Sequence, residues 1–207
     1  MELARLTLDL ANPQVRRDIA DPYEMHSTLA RAFAADATSR PERFLWRLEA
    51  LETDAPPIVI VQSDTGGGWE RLAAAAVGWA SRIETKSWAP ERVLTAGAAI
   101  SFRLRCNPTV TRNGRRLGLW REAEQRAWFE RQAQRAGLSD AGFSLSGAER
   151  VTGKRRKSAD AQVVICSVLV EGRARVADAS LLAAAIRAGI GHAKMMGQGL
   201  LSIAPAA

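Results

Sequence analysis

The 207-residue sequence is poor in cysteine and histidine, with two of each, and no apolar run in it exceeds six residues. Each scarcity removes a class of function. A run such as Leu72 to Val77 falls far short of the roughly 20 apolar residues that a bilayer-spanning helix requires, so no membrane segment is predicted. The opening residues set Glu2 and Arg5 among alternating apolar side chains and lack the basic region, apolar block and cleavage site of an export signal. A cytoplasmic protein with no membrane partner is expected. Cys106 and Cys166 sit inside strand-like runs and predict no disulfide framework. His26 and His192 lie far apart, and no C-x-x-C, H-x-x-x-H or D-x-D accompanies them, so neither a metal site nor a cofactor is expected.

Lysine is scarce as well: Lys86, Lys154, Lys157 and Lys194 are the only four, against 25 arginines. Arginine is the side chain whose planar fork pairs bidentately with phosphate and with guanine edges. A GC-rich genome would also favour arginine over lysine, but it would not divide the charge. Residues 1 to 90 carry ten basic and thirteen acidic side chains, a net of −3, whereas residues 91 to 207 carry nineteen and nine, a net of +10. The second half is the candidate polyanion surface. With 47% apolar and 25% charged residues the chain has ordinary globular proportions, so wholesale disorder is excluded.

Hydrophobic periodicity organises the chain into two halves. Leu3 to Leu10 alternates as a strand and leads through a polar connection to Asp21-Pro22-Tyr23-Glu24, a helix start with its cap, its first-turn proline and its capping-box glutamate. Met25, Leu29, Ala32 and Phe33 supply that helix's buried face. Phe44 to Leu48 and Ile58 to Gln62 read as strands, Trp69 to Trp79 as a helix and Ser81 to Trp88 as a fourth strand. A turn-rich joint from Ala89-Pro90 to Gly97 opens the second half. There, Ala99 to Arg105 alternates, Gly114 to Trp120 reads as a returning arm, and Arg121 to Ala136 as a helix stopped by Gly137. A Gly/Ser-rich basic loop then carries Lys154-Arg155-Arg156-Lys157 to a strand from Gln162 to Val170, a turn at Glu171-Gly172 and a short strand from Arg173 to Val176. A helix capped by Asp178 or Ser180, a glycine-rich loop and a strand from Leu200 to Ile203 complete the chain. The order β-α-β-β-α-β thus occurs twice. The predicted fold is α+β, two tandem ferredoxin-like (βαββαβ, RRM-like) domains, spanning 1–90 and 91–207.

Three candidate sites stand out. Tyr23 and His26, three apart on one helix face, place a phenol beside an imidazole able to exchange a proton with a ribose 2′-hydroxyl. On spacing alone a structural histidine flanking the apolar stripe, with a half-buried tyrosine, is the favoured reading. Gly189, Gly191, Gly197 and Gly199 bracket Lys194 in two G-x-G pairs, a pattern that follows a helix and so matches neither a Rossmann fingerprint nor a P-loop. It can still bring backbone amides close to a phosphate. Lys154, Arg155, Arg156 and Lys157 extend a band with Arg103, Arg105, Arg112, Arg115, Arg116, Arg121, Arg126, Arg131 and Arg135 that suits nucleic acid. Taken singly, that run is an ordinary solvated loop.

Asp21-Pro22-Tyr23-Glu24-Met25-His26, Phe44-Leu45-Trp46-Arg47, Phe102-Arg103-Leu104-Arg105-Cys106-Asn107-Pro108, Glu122 to Trp128 and the glycine-rich terminus from Gly189 to Pro205 closely resemble the CasE family, in the same order along the chain. That family comprises the CRISPR repeat-processing endoribonucleases of type I-E Cascade. The resemblance implies tandem ferredoxin-like domains, the first carrying the catalytic helix and the second binding RNA. It also implies metal-independent cleavage within repeat stem-loops to mature guide RNA, ending in a 2′,3′-cyclic phosphate and a 5′-hydroxyl. Repeat RNA and the other Cascade subunits are the implied partners. His26 maps onto the family's catalytic histidine and Tyr23 onto its tyrosine. Arg103, Arg105, Asn107, Lys154, Arg155, Arg156, Lys157, Gly189, Gly191, Lys194, Gly197 and Gly199 are the expected RNA-binding set. Two positions depart from the pattern: His192 stands in place of proline and reads as a surface substitution, and Gln198 replaces an apolar residue. The competing expectation is a non-catalytic RNA stem-loop-binding module on the same fold.

Overall fold

The computed structural model describes residues 1–36, 38–49, 55–154 and 162–206. They form two units. The first contains Met1–Trp88 together with Thr152–Val163 and Met195–Gly197; the second contains Ala89–Val151, Val164–Lys194 and Gln198–Ala207. Two short segments that a single cut at residue 90 assigns to the second half therefore belong with the first.

In the first unit, β1 (Glu2–Leu8), β2 (Phe44–Leu48), β3 (Ile58–Ser63) and β4 (Ala80–Ser87) form an antiparallel sheet ordered β2-β3-β1-β4. Alternation decides which face of β1 is buried: Ala4, Leu6 and Leu8 point into the core, and Arg5 faces outward to pair with Glu84 at 2.9 Å. Three helices accompany this sheet: α1 (Pro13–Ala20), α2 (Pro22–Ala30) and α3 (Trp69–Ala75). Met25, Leu29, Val15 and Leu72 from these helices join Leu6, Leu8, Val59, Val61 and Trp79 in one core.

Helix α1 replaces what the sequence suggested was a polar connection. Asn12 caps it, accepting from the Gln14 amide at 2.8 Å, and Pro13 occupies the first helical position. One of its two buried residues is polar, which hides it from a hydrophobic-periodicity reading: beside Val15, Asp18 is buried, accepts from Trp79 Nε1 at 2.8 Å and pairs with Arg17. Helix α3 stops at Ala75, four residues short of the expected end.

The second unit opens with the short α4 (Pro90–Val93). Its sheet is ordered β10-β5-β9-β8, from β5 (Ala99–Cys106), β8 (Leu138–Lys154), β9 (Gln162–Val176) and β10 (Leu201–Pro205), with α5 (Glu122–Arg135) and α6 (Ala179–Ala188) in the connections. Numbered within each half, both sheets have strand order 4-1-3-2, the ferredoxin-like arrangement, so the two-domain fold class holds. An extra ribbon, β6 (Thr109–Arg112) and β7 (Arg115–Gly118), is inserted between β5 and α5.

The second half departs from expectation in its central hairpin. The stretch after Gly137, expected as a loop, is the 17-residue strand β8, and β9 runs unbroken through the expected turn at Glu171-Gly172. In β8 the half-buried Ala141, Phe143 and Leu145 alternate with exposed Gly142, Ser144 and Ser146, a strand pattern written in turn-forming residues. Gly172 marks a close approach between strands: a Cβ there would collide with the Gly142 carbonyl oxygen and with Phe143.

Candidate active site and nucleic-acid interface

Within the first unit, α2 sets the geometry. Asp21 caps it as expected, its Oδ1 accepting from the Tyr23 amide at 2.9 Å, with Pro22 in the first turn. Tyr23 and His26 follow on one face, both half-buried. The His26 imidazole stacks on Phe44 of β2 with centroids 4.7 Å apart and planes 16° from parallel, and Phe44 stacks in turn on Phe33 at 4.4 Å. His26 Nδ1 is buried without a hydrogen-bond partner, which leaves Nε2 as the nitrogen available for chemistry. Burial pushes the imidazole down to about 4, so the ring is neutral at pH 7.

That shift has a sign. Between pH 6.5 and about 4 the unfolded chain binds a proton at His26 and the folded chain does not, so stability falls as pH falls across this window. The full loss amounts to roughly 3 kcal/mol. Urea unfolding at pH 7 and pH 4.5 should show a smaller pH dependence in His26→Ala than in the parent protein. Identical dependences would mean that His26 titrates normally.

Also in this unit, Gly197 adopts a φ of +73°, and a Cβ there would lie 2.8 Å from the indole of Trp46, which β2 carries two residues beyond Phe44. The strand thus supports both His26 and one glycine of the terminal loop. Phe44 and Trp46 lay within a sequence motif, but nothing in that motif announced their contacts.

The second unit holds most of the expected RNA-binding set. Arg103 pairs with Glu171 at 2.6 Å. Arg105 is turned inward, donating to Ser167 Oγ at 3.3 Å with its Nε buried and unpartnered, and Asn107 is buried with Oδ1 unpartnered. Ser167 also lies 3.4 Å from Gln198 Oε1, so the departure at Gln198 is absorbed into a buried polar chain. Gly189 ends α6, and Gly191 approaches the Trp128 ring. Gly199 donates its amide to the Arg105 carbonyl at 2.7 Å and accepts from the Ile190 amide at 2.9 Å. Lys194 folds back, its ammonium donating to the Gly191 carbonyl at 2.7 Å. His192 is shifted down by burial and by the positive charges of Arg116 and Lys194, placing it among cations.

The β6–β7 ribbon is the feature the expected site set omitted. Asn113 and Gly114 both take positive φ, 49° and 71°, the signature of a two-residue hairpin turn, and they present Arg112, Arg115 and Arg116 as exposed side chains. An Asn-Gly pair between Thr- and Arg-rich arms was the sequence signal for it. Lys154 ends β8, while Arg155, Arg156 and Lys157 lie outside the described residues. Among the described residues, no three His, Cys, Asp or Glu side chains converge as metal ligands, and no helix is long and apolar enough to cross a membrane.

A model of the family described as CRISPR associated protein matches residues 1–205. The chain is also 36% identical to the CRISPR-associated endoribonuclease Cse3 of Thermus thermophilus, over 99% of this chain and all of that one. It belongs to the CasE family. A second relative of this CasE-family chain is the CRISPR system Cascade subunit CasE of Escherichia coli K12, 32% identical over 89% of this chain and 92% of that one. Among solved structures, the CRISPR endoribonuclease Cse3 bound to a 19-nucleotide RNA superposes with a TM-score of 0.87 at 35% identity, covering 99% of this chain and 100% of that one. Membership of the CasE family therefore rests on both units together.

Proposed function

We propose that this protein is a metal-independent endoribonuclease that cleaves CRISPR precursor RNA within repeat stem-loops and remains bound to the product as a Cascade subunit in the cytoplasm. The observation that carries this reading is the stacked, neutral His26 one turn from Tyr23. An imidazole held neutral with Nε2 free accepts the proton of the 2′-hydroxyl upstream of the scissile phosphate. The 2′-oxygen bonds to phosphorus as the bond to the 5′-oxygen breaks, giving a 2′,3′-cyclic phosphate, and the departing oxygen takes up a proton to become a 5′-hydroxyl. Tyr23 steadies the charge that builds on the phosphate oxygens. Alignment of nucleophile, phosphorus and leaving oxygen supplies much of the remaining acceleration.

In this reading the first unit carries the cutting residues and the second carries most of the RNA-binding ones. The +10 charge of residues 91 to 207 draws in the phosphate backbone. Lys154, Arg155, Arg156 and Lys157 are proposed as further RNA contacts, and the exposed Arg112, Arg115 and Arg116, with Arg103, form the surface best presented for phosphate contacts. Arg105 and Asn107 act from beneath it. Gly189, Gly191, Gly197 and Gly199 shape the loop that carries Lys194.

Incubating the protein with a repeat stem-loop RNA in excess EDTA tests the proposal. The expected products are one cut at a fixed position, a 2′,3′-cyclic phosphate on the upstream fragment and a 5′-hydroxyl on the downstream one. RNA that is retained but stays intact would identify a binding module instead. Activity restored only by magnesium would overturn the metal-free chemistry.

A further inference from the structure

Strand β8 ends inside the first unit, and Gly153, its penultimate residue, is buried there. A Cβ at Gly153 would lie 2.5 Å from Cδ2 and 2.9 Å from Cε2 of the Tyr23 ring, and 3.0 Å from the Met196 methyl. Real Cβ atoms do not approach so closely, so a side chain at position 153 must displace the ring. Gly153 is not among the glycines with positive φ, and its backbone would accept any residue. Close approach to Tyr23 is what requires glycine at that place. Gly142, on the same strand, shows the contrast: a Cβ there meets nothing within 4 Å.

The other end of Tyr23 is fixed as well. Its amide donates to the capping carboxylate of Asp21, which pins the backbone, so the ring's position is left to its side-chain torsions and to what it packs against. Gly153 is one such neighbour, and as strand backbone it is rigid where a side-chain tip would yield. We propose that Gly153 is a positioning residue that sets the place of the Tyr23 hydroxyl during RNA cleavage. This rests on the reading of Tyr23 as the group that steadies the scissile phosphate.

Tyr23 is the only tyrosine in the chain, so protein labelled with 3-fluorotyrosine reports on this ring through a single 19F resonance. In Gly153→Ala that resonance should move by more than its linewidth, and in Gly142→Ala it should stay. Single-turnover cleavage of a repeat stem-loop by G153A should slow by roughly 10- to 100-fold, the usual consequence of misplacing a reacting group by about 1 Å. RNA affinity should be preserved. In a Tyr23→Ala background, where no ring remains to be pushed, G153A should add almost no further loss. An unmoved resonance overturns the proposal, as does an equal loss from G153A with and without the ring. Should G153A fail to fold, Y23A/G153A has room for the added methyl and should regain the thermal stability of Y23A, and failure of both variants to fold overturns the proposal too. Full cleavage by Y23A would overturn the role given to Tyr23, while a moved resonance in G153A would still uphold the contact itself.

Discussion

His26→Ala should cut repeat RNA roughly 10²- to 10⁴-fold more slowly than the parent protein while binding the stem-loop nearly as well, because positioned proton transfer contributes about that much to a rate. Affinity should survive, since the proposed backbone contacts come from the basic residues and not from the imidazole. The measurement is a single-turnover cleavage rate beside an equilibrium binding titration. The variant also removes the ring stacked on Phe44, so a thermal melt is needed to show that the core closes over the gap. Cleavage at the parent rate would remove His26 from the mechanism. Parallel loss of binding and cleavage would make it an RNA contact.

A single 2′-deoxy nucleotide immediately upstream of the cut should abolish cleavage altogether. The effect exceeds that of any side-chain change because the substitution deletes the nucleophile, whereas losing His26 only deprives it of help. Binding of the deoxy RNA should be close to normal. Such an RNA would trap the uncleaved complex, and the same substitution one nucleotide further upstream should be cut at nearly the ordinary rate. Cleavage of the deoxy substrate would require an external nucleophile, water above all, and with it a different reaction.

The strands and helices of the first half were largely legible because their hydrophobic residues keep strict periods, as in Ala4, Leu6 and Leu8 along β1. The Asp21-Pro22 cap and the one-turn spacing of Tyr23 and His26 were equally plain, since they depend on neighbours in sequence. Helix α1 was not, because one of its two buried residues is Asp18, whose partner Trp79 lies 61 positions away. Strand β8 was hidden by serines and glycines that serve as one face of an edge strand but otherwise spell a loop. In the site, the stack on Phe44 and the contacts of Gly153 and Gly197 with Tyr23 and Trp46 join residues 18 to 151 positions apart, and no local pattern encodes such pairs. Arg105 shows the converse. Its type marked it for a surface, but its place on β5 turned it inward toward Ser167.

The non-contiguous first unit has a consequence for biosynthesis. Met1–Trp88 leaves the ribosome long before Thr152–Val163 and Met195–Gly197, so a nascent chain holds Tyr23 and Trp46 without the strand end and turn that later pack beside them. Contacts between residues so distant in sequence are paid for in loop-closure entropy and form slowly. The second half has by then largely emerged, including the arginine-tipped ribbon. On the proposed assignment of RNA binding to the second half, capacity to hold RNA precedes completion of the surroundings of Tyr23 and Trp46, and cutting becomes a property of the finished chain rather than of its first domain.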